Sequence, residues 1–462
     1  MHLSHTIQVP VAKFLRPLAM LSRPIPLHHI IPEHVIRRPF ALLVLVPLWM
    51  LLPSCMDDDA WYAMNDLQVQ YDTTLNNAIS RQTGVFVVNE GNFMYDNASL
   101  SYYLIDSMQH LDDVFNRTNG TPLGDVAQSM VIRDSLGYIV VNNSSKIYVI
   151  NVNTFEFVGK ITGLTSPRYM HFVNDNKAYV SDLYAGAISI VDPQQKEIMG
   201  YIDVSNPASP FNQHPTEQFV QLGKYVYTNC WSYDNTVLII DSETDQVTDS
   251  IKVPLQPNSM VADRFGKLWV LCDGGFEGNP AGHELPSLVR IDAATMEIET
   301  SFKFNLDDQP TELQINGTGD TLYFLNRHLY RHIVTADTQP QKILESPYTK
   351  SISEAYQKKN LHDPGLITQT EQSGLKIDGV SSSQKILEST FAKSISATPT
   401  SSPSIGGFYG LGIDPYSGDI YLGDAIDQVQ RGVVYRYKSD GSVLDTFRTG
   451  INPGFFSFKP EE

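Results

Sequence analysis

The sequence predicts an all-β protein, a seven-bladed β-propeller closed by its C-terminal strand. Three observations lead to this prediction. A pair of short strands recurs seven times from residue 84 onward, two further strands follow most of the pairs, and one spare strand stands at the C-terminus. Four strands in each of seven units are typical of a propeller. Aromatic residues make up 10% of the chain, which also favours β structure.

Each repeat begins with a strand that most often ends in Asn or Asp, and a second strand follows after a short loop. The first strands are Gly84–Asn89, Gly137–Asn142, Lys177–Asp182, Lys224–Asn229, Lys267–Cys272, Thr321–Asn326 and Asp419–Asp424. Their partners are Leu100–Asp106, Lys146–Val152, Ala187–Asp192, Thr236–Asp241, Ser287–Asp292, His328–Val334 and Val433–Lys438. Short β-branched and aromatic runs bounded by Gly, Asn and Asp indicate strands. The repeat period is about 48 residues once an insertion is set aside, close to known propeller repeats.

The two other strands of a blade follow these pairs. Third strands are predicted at Phe155–Ile161, Glu197–Val204, Gln246–Val253 and Ser442–Arg448. Strands often led by proline precede the next repeat, at Ser166–Val173, His214–Leu222, Gln256–Asp263 and Asp308–Asn316. The first repeat has no such preceding strand, whereas Ile451–Lys459 is left over at the C-terminus. We therefore expect this segment to complete blade 1, which removes an open sheet edge.

An internal duplication marks an insertion in blade 6. Gln341–Ser346 recurs as Gln384–Ser389, and Lys350–Ser353 recurs as Lys393–Ser396. The segment 346–404 is polar and lacks strand periodicity, so we expect it to be a mostly disordered insertion. Only one copy of the duplicated segment can serve as the third strand of blade 6, and the sequence leaves open which one.

The N-terminal segment predicts export. Arg37 and Arg38 precede an apolar run of about 14 residues that proline interrupts, which is typical of a signal peptide and short for a transmembrane helix. Residues 1–36 are poor signal sequence and suggest an over-extended start, with Met20 one alternative initiator. We predict that residues 1–54 are this signal peptide and extended start.

A lipid anchor is expected directly after the signal peptide. Leu52, Ser54 and Cys55 resemble the bacterial lipobox, whose cysteine is acylated and becomes the mature N-terminus, although Pro53 departs from the usual small residue. The acidic run Asp57–Asp59 resembles the surface-export signal of Bacteroidetes lipoproteins. Residues 55–83 are accordingly predicted to be the lipidated N-terminus and tether, and residues 84–462 the propeller.

Charge and cysteine content limit the partners. The net charge is −18, and residues 55–462 carry 28 Lys and Arg against 50 Asp and Glu. A surface this acidic repels phosphate backbones, so we expect no nucleic-acid partner. Three cysteines form no disulfide framework. Cys55 is the predicted lipidation site, and whether Cys230 and Cys272 pair stays open.

One face of the propeller is expected to carry the ligand site. The loops that follow the first strand of each repeat, which is the second strand of the blade counted from the channel, lie on that face. The starts of the innermost strands share this face, and both sets of residues surround the channel. They combine aromatic rings with amides and carboxylates, which suits a large, partly apolar ligand with a polar rim. The predicted ligand-binding residues are Tyr95, Arg168, Tyr169, Tyr184, Glu217, Trp231, Tyr233, Asn258, Phe276, Glu312, Arg327 and Tyr409. The Asn or Asp at each strand end recurs with the scaffold, and we expect it to cap turns.

Familiar catalytic motifs are missing from the sequence. It contains no Walker loop, GxSxG, HExxH or EF-hand pattern, so we predict no catalytic residue, cofactor or metal. His328 and His332 lie on one face of a strand without a third ligand. His171 and His214 stand alone and are expected to be structural.

Two alternative functions remain open. A ring of carboxylates and amides around the channel can hold Ca²⁺ or Zn²⁺, as in propeller lactonases, and a metal-dependent hydrolase would use Glu90, Glu217, Asn258 and Glu312. The other alternative is a protein-interaction scaffold at the cell surface, with the blade edges and the insertion as its contact surface.

Three stretches, Gly84–Asn92, Asp424–Tyr437 and Gly450–Phe455, together with the lipobox and the seven repeats, resemble the YncE-like propeller lipoproteins of Bacteroidetes. The chain is similar to the surface cobalamin-binding lipoproteins that partner TonB-dependent transporters. The resemblance implies a non-enzymatic lipoprotein, anchored at the cell surface of the outer membrane. Such a protein would bind a corrinoid such as cobalamin at the propeller mouth and deliver it to the transporter. No corrinoid-contact motif is matched residue by residue.

Overall fold

Strands that follow one another in the chain pair into antiparallel four-stranded sheets in the computed structural model, which describes residues 83–209, 211–347 and 407–460. In these ranges there are seven such sheets. The innermost strands of successive sheets contact one another around a complete ring. The predicted seven-bladed propeller is therefore confirmed.

The strands and one helix of blades 1 to 3 have the following bounds. Blade 1 contains β1 (Gly84–Asn89), β2 (Ser99–Leu104) and β3 (Gln109–Leu111), and helix α1 (Val114–Asn119) follows it. Blade 2 contains β4 (Ala127–Arg133), β5 (Leu136–Val141), β6 (Lys146–Asn151) and β7 (Phe157–Ile161). Blade 3 contains β8 (Pro167–Asn174), β9 (Lys177–Asp182), β10 (Ala187–Asp192) and β11 (Glu197–Asp203).

The remaining four blades repeat the same order. Blade 4 contains β12 (Thr216–Leu222), β13 (Tyr225–Cys230), β14 (Thr236–Asp241) and β15 (Gln246–Lys252). Blade 5 contains β16 (Pro257–Ala262), β17 (Lys267–Cys272), β18 (Ser287–Asp292) and β19 (Glu297–Lys303). Blade 6 contains β20 (Thr311–Ile315), β21 (Thr321–Asn326), β22 (His328–Ile333) and β23 (Gln341–Leu344). Blade 7 contains β24 (Gly410–Ile413), β25 (Ile420–Asp424), β26 (Val433–Tyr437) and β27 (Val443–Arg448), and the last strand is β28 (Pro453–Phe458).

The C-terminal strand closes the ring, as the sequence predicts. β28 pairs antiparallel with β1, with Val85 opposite Phe458 and Val87 opposite Phe456. It becomes the innermost strand of blade 1 and contacts β4 on one side and β24 on the other. The first and last strands of the propeller are thus hydrogen-bonded to each other, and β1 is paired on both of its edges.

The hydrophobic core lies between the blades. Seven clusters of buried side chains occur in the described ranges, and each is shared by two neighbouring blades. Middle strands are therefore covered on both faces, which explains their continuous apolar runs, such as the fully buried β1 and β21. Helix α1, which the sequence analysis missed together with β3, adds Val114 and Phe115 to the cluster between blades 1 and 2.

The Asp that ends β10, β14 and β18, the third strands counted from the channel, has a structural cause. Asp192 and Asp292 each accept, through Oδ1, the backbone N–H groups of the residues two and three positions further along the chain. Asn151 does the same in blade 2. Asp241 Oδ1 accepts the N–H of Glu243, two positions further along. These side chains fix the turn to the outermost strand, so the repeat in the sequence records a repeated turn.

Asn and Asp at or next to the ends of β5, β9 and β13, the second strands counted from the channel, join neighbouring elements. Asn142 Nδ2 donates to Pro167 O at 3.0 Å, and Asn229 Nδ2 donates to Pro257 O at 2.7 Å, which ties each blade to the next. Asp182 instead accepts four backbone N–H groups, from Thr165 and Ser166 to Oδ2 and from Tyr184 and Ala185 to Oδ1. These observations support a structural role for the repeated position.

The first copy of the duplicated segment supplies the outermost strand of blade 6. β23 begins at Gln341 and pairs with β22 through Tyr330 opposite Lys342. The second copy, most of the predicted insertion 346–404 and the predicted lipidation site Cys55 lie outside the described residues. Cys230 and Cys272 are free, buried thiols. No helix in the described ranges has the length and apolar character needed to span a bilayer.

Candidate functional site

The innermost strands start with an irregularity that shapes the channel. In blades 2 to 6 the pairing register between the innermost strand and its neighbour shifts within the first residues, which is a β-bulge. Bulges leave residues out of the ladder and redirect their side chains. The residues omitted from the register are Gln128 in blade 2, Arg168 and Tyr169 in blade 3, Glu217 and Gln218 in blade 4, Asn258 in blade 5, and Glu312 and Leu313 in blade 6.

Five of the twelve predicted ligand residues are therefore bulge residues. A proline stands at or directly before the start of each of these strands in blades 3 to 6, as at Pro167 and Pro257. Proline has no N–H to give to the ladder, which favours an irregular start. The proline at the start of these strands is therefore the sequence signal for the bulges.

An ion pair crosses from blade 3 to blade 4. Arg168 Nε lies 2.9 Å from Glu217 Oε1 and 3.0 Å from Oε2, and Arg168 Nη1 donates to Gln128 Oε1 at 2.5 Å. The side chains are 14% and 2% exposed. The guanidinium also lies 5.9 Å from the ring centre of Trp231, within cation–π range. Three blades thus meet at one arginine.

Two further carboxyl groups surround this pair. Tyr409 of blade 7 donates its hydroxyl proton to Glu90 Oε2 at 2.5 Å. Burial is the main factor that raises the pKa of Glu90, while Tyr409 and Arg168 oppose it. Burial and the charges of Glu90 and Glu217 raise the pKa of Glu312 to about 8, against the opposing effect of Arg168. The positive charge of Arg168 thus acts on three carboxyl groups. With a pKa of about 8, Glu312 is mostly protonated at neutral pH.

The backbone at two of these positions is specialised. Glu312 has a φ of 58°, a left-handed conformation that costs free energy for a residue with a side chain and is often found at functional positions. Gly454 lies in the closing strand beside Glu90, and a Cβ atom there would collide with Glu90 Oε1. The glycine therefore makes room for this carboxyl group.

A second polar layer lies beside Arg168 in blades 4 and 5. Trp231 Nε1 donates to Asp273 Oδ2 at 2.8 Å, and Gln256 Nε2 donates to Asp273 Oδ1 at 3.1 Å. Burial raises the pKa of Asp273 to about 6, although these hydrogen bonds act in the opposite direction. Asn258 donates to Pro310 O at 2.7 Å and so joins blade 5 to blade 6.

The rim of the same face is aromatic. The ring of Tyr233 lies 5.3 Å from that of Phe211 and 6.2 Å from that of Phe276, which gives a row of three rings over blades 4 and 5. Tyr95 is 74% exposed, and Tyr184 is also exposed. Sequence reasoning missed Phe211, because the long loop between blades 3 and 4 has no counterpart in most other repeats.

The predicted site residues thus divide into three groups. Arg168, Tyr169, Glu217, Glu312 and Tyr409 are mutually linked at the channel, with Asn258 and Trp231 beside them. Tyr233 and Phe276 contact each other on the rim. Tyr95, Tyr184 and Arg327 lie exposed in separate loops.

The histidine assignments need one correction. His214 is not isolated, because its Nδ1 lies 2.6 Å from Asp234 Oδ2. The loop after β13 returns toward the start of β12, which the sequence does not reveal. His332 is buried against Trp269 and Phe302, and burial lowers its pKa to about 4, so it is neutral. His171 contacts Gln221.

Comparisons with known proteins agree with the fold. Residues 83–397 match the family described as a domain of unknown function, DUF5074. Among curated proteins, none matches the chain.

Three solved structures illustrate the similarity. A protein from Lactobacillus plantarum has 10% identity and a TM-score of 0.52, covering 82% of this chain and 100% of its own. A provisional 6-phosphogluconolactonase from Bacteroides fragilis has 10% identity and a TM-score of 0.51, covering 82% and 98%. A quinoprotein alcohol dehydrogenase-like protein from Bacteroides thetaiotaomicron has 14% identity and a TM-score of 0.50, covering 80% and 76%. At these identities the similarity concerns the fold alone. The family match covers more than half of the sequence, so this seven-bladed propeller belongs to the DUF5074 family.

Proposed function

We propose that this protein is a ligand-capture propeller, a lipoprotein of the outer-membrane surface that binds a large nutrient and passes it to a transporter. One observation carries the proposal: a buried polar ring and a partly exposed aromatic row occupy the same face. Such a site suits a ligand with a broad apolar surface and hydrogen-bonding groups at its edge. A corrinoid such as cobalamin is the candidate.

The polar ring matches the edge of a corrinoid. Corrinoids carry amide side chains, which both donate and accept hydrogen bonds. Glu90 and Glu217 accept hydrogen bonds, Glu312 in its protonated form donates one, and Gln128 offers both kinds of group. A ring with mixed donors and acceptors supports binding of a neutral ligand rich in amides.

The aromatic row matches the flat part of such a ligand. Phe211, Tyr233 and Phe276 present adjoining rings from two blades, and aromatic side chains supply a large contact area with few rotatable bonds. Half-buried or exposed apolar groups of this kind lose water contact when a ligand covers them, which favours binding.

The partners of the Glu90 and Glu217 carboxyl groups favour ligand capture over catalysis. Glu217 is paired with Arg168, and Glu90 accepts a hydrogen bond from the hydroxyl of Tyr409. Both carboxylates are engaged with the protein itself. Delivery to a TonB-dependent transporter rests on the export signal and on Cys55, and on the resemblance to surface lipoproteins.

Isothermal titration calorimetry with cyanocobalamin and cobinamide on purified residues 60–462 tests the capture proposal. We expect saturable binding at micromolar concentrations or tighter, and the absence of binding there contradicts the corrinoid assignment. Tyr233→Ala and Phe276→Ala should each weaken binding by about 30-fold if the rings are anchors. Phe265→Ala and Tyr416→Ala are matched controls, because both are exposed aromatic residues at the opposite ends of the strands.

Pull-down from outer membranes tests the delivery step. The lipidated protein should co-purify with a TonB-dependent transporter, and Cys55→Ala should release the protein from the membrane. Recovery of the Cys55→Ala protein in the membrane fraction contradicts the anchor.

A metal-dependent hydrolase is the second candidate. It is favoured by the electrostatic effect of Glu90 and Glu217 on Glu312, because their negative charges raise its pKa. A divalent cation can take the place of the proton that Glu312 retains. Elemental analysis of protein purified without chelator, followed by lactone hydrolysis assays with and without chelator, tests this. The absence of bound metal removes this candidate without affecting the first.

A further inference from the structure

Three side chains of metal-binding type converge between blades 3 and 4, at the start of β12. His214 precedes β12, Cys230 ends β13, and Asp234 lies in the loop that follows. Each offers one ligand atom, and the three atoms lie within 4.8 Å of one another. This cluster brings together an imidazole, a thiol and a carboxylate from two separate segments of the chain.

The distances between the three ligand atoms are close to those of a tetrahedral zinc site. His214 Nδ1 and Asp234 Oδ2 are 2.6 Å apart. Zinc bonds of about 2.0 to 2.3 Å in a tetrahedral site place ligand atoms about 3.3 to 3.8 Å apart. The imidazole and the carboxylate would separate by about 1 Å, which side-chain rotation can supply. The sulfur already lies within 4.8 Å of both ligand atoms. The ion would replace the proton between nitrogen and oxygen, and the thiol proton would pass to solvent.

The backbone holds these ligands in place. The N–H of His214 donates to Val204 O at 2.9 Å, and the carbonyl of Asp234 accepts from Gln256 N at 2.8 Å. Asp234 Oδ1 accepts from Asn235 N at 2.7 Å, so one carboxylate oxygen is oriented by the loop while the other faces the histidine. Outer hydrogen bonds of this kind orient metal ligands in known sites.

A surface cavity gives access to the cluster. It has a volume of about 310 Å³, and His214 lines it together with Asp203 and Asp249. The His214 side chain is 17% exposed, whereas Asp234 is 5% exposed and Cys230 is fully buried. An ion can therefore approach past the histidine, and water can fill a remaining coordination position from the cavity.

We propose that His214, Cys230 and Asp234 form a zinc site with three protein ligands and a fourth position open to the cavity. The donor set selects this class of ion: thiolate and imidazole suit Zn²⁺ and related transition metals, whereas Ca²⁺ and Mg²⁺ require oxygen ligands. The site is independent of the capture proposal, because none of its residues belongs to the channel ring or the aromatic rim.

The chain offers a matched control for the test. Cys272 is the second buried free thiol, and it ends β17 at the same position in blade 5 that Cys230 occupies in blade 4. Cys272 is not part of a three-ligand cluster in the described ranges. Cys272→Ser therefore carries the same chemical change in an equivalent setting without the ligands.

Metal titration of the purified, chelator-stripped protein tests the zinc site. We expect one Zn²⁺ per chain in competition with a chromophoric chelator, and Co²⁺ should give a thiolate-to-metal charge-transfer band in the near ultraviolet. Cys230→Ser should abolish that band and weaken zinc binding by at least about 10- to 100-fold, the loss seen even for outer metal partners. Cys272→Ser should retain both.

A second variant guards against misfolding of Cys230→Ser. His214→Ala changes a partly exposed side chain and should weaken zinc binding while the circular dichroism spectrum of the protein is kept. Equal effects of Cys230→Ser and Cys272→Ser, or a Co²⁺ complex without the thiolate band, overturn the proposal. Zinc binding that His214→Ala leaves unchanged overturns it as well.

Discussion

Arg168 and Glu217 stand at equivalent starts of neighbouring innermost strands, and their side chains form a two-point contact with Nε 2.9 and 3.0 Å from the two carboxylate oxygens. Both residues are omitted from the ladder register by bulges. The irregular strand starts thus turn two residues of adjacent blades toward each other.

Arg168→Met should destabilise the protein by about 3 to 5 kcal/mol, because it leaves the buried Glu217 carboxylate without its partner. The double variant Arg168→Met, Glu217→Leu should recover much of this loss. Denaturant unfolding of the two single variants and the double variant gives the coupling free energy. A cost below about 1 kcal/mol for Arg168→Met would show that Glu217 does not depend on the arginine.

Glu312 should make the stability of the protein fall as pH rises between its ordinary pKa of 4.5 and its folded value of about 8. In this window the unfolded chain has lost a proton that the folded chain keeps. The free energy of unfolding therefore decreases by up to about 1.4 kcal/mol per pH unit from this group and is level above the folded pKa.

Comparison with Glu312→Gln isolates this effect. The stability difference between the wild type and the variant should shift in favour of the variant from about pH 5 to about pH 8, measured by urea unfolding. Glu297→Gln is the control for the removal of one carboxylate, because this side chain is exposed. A pH-independent difference for Glu312→Gln would place its pKa near the ordinary value.

Phe456→Ala should test the closing strand. The side chain is buried between blades 7 and 1, with its ring 6.0 Å from that of Tyr421, so the expected loss is about 3 to 5 kcal/mol. Tyr416→Ala at the exposed turn of blade 7 should stay within about 0.5 kcal/mol of the wild type. Similar small losses for both variants would mean that the C-terminal strand contributes little to closure.

Asn229→Asp should break the tie between blades 4 and 5. The amide donates to Pro257 O, and a carboxylate at this fully buried position has no proton to donate. We expect a loss of about 3 kcal/mol or more in the free energy of unfolding. Asn176→Asp is the control, because this exposed side chain accepts a hydrogen bond from Gln194 through its oxygen and should tolerate the change.

The site was only partly predictable from the sequence. Arg168, Glu217 and Glu312 could be assigned to the channel, because the strand order puts the starts of the innermost strands on one face. Their mutual contacts could not be predicted, since they depend on bulges that shift side chains by one or two positions. His214 was misjudged for a related reason, because its partner Asp234 comes from a loop whose path no local pattern records.

By itself the sequence determined the number of blades, the order of their strands and the closure by the C-terminal segment. These properties follow from local runs of β-forming residues and from turns fixed by nearby side chains such as Asp192 and Asp241. Only the tertiary structure decided that Gln341–Leu344 pairs in blade 6, that Arg168 meets Glu217, and that His214, Cys230 and Asp234 converge. Those contacts join residues from different blades or loops, and their free energy depends on burial and distance in the closed ring.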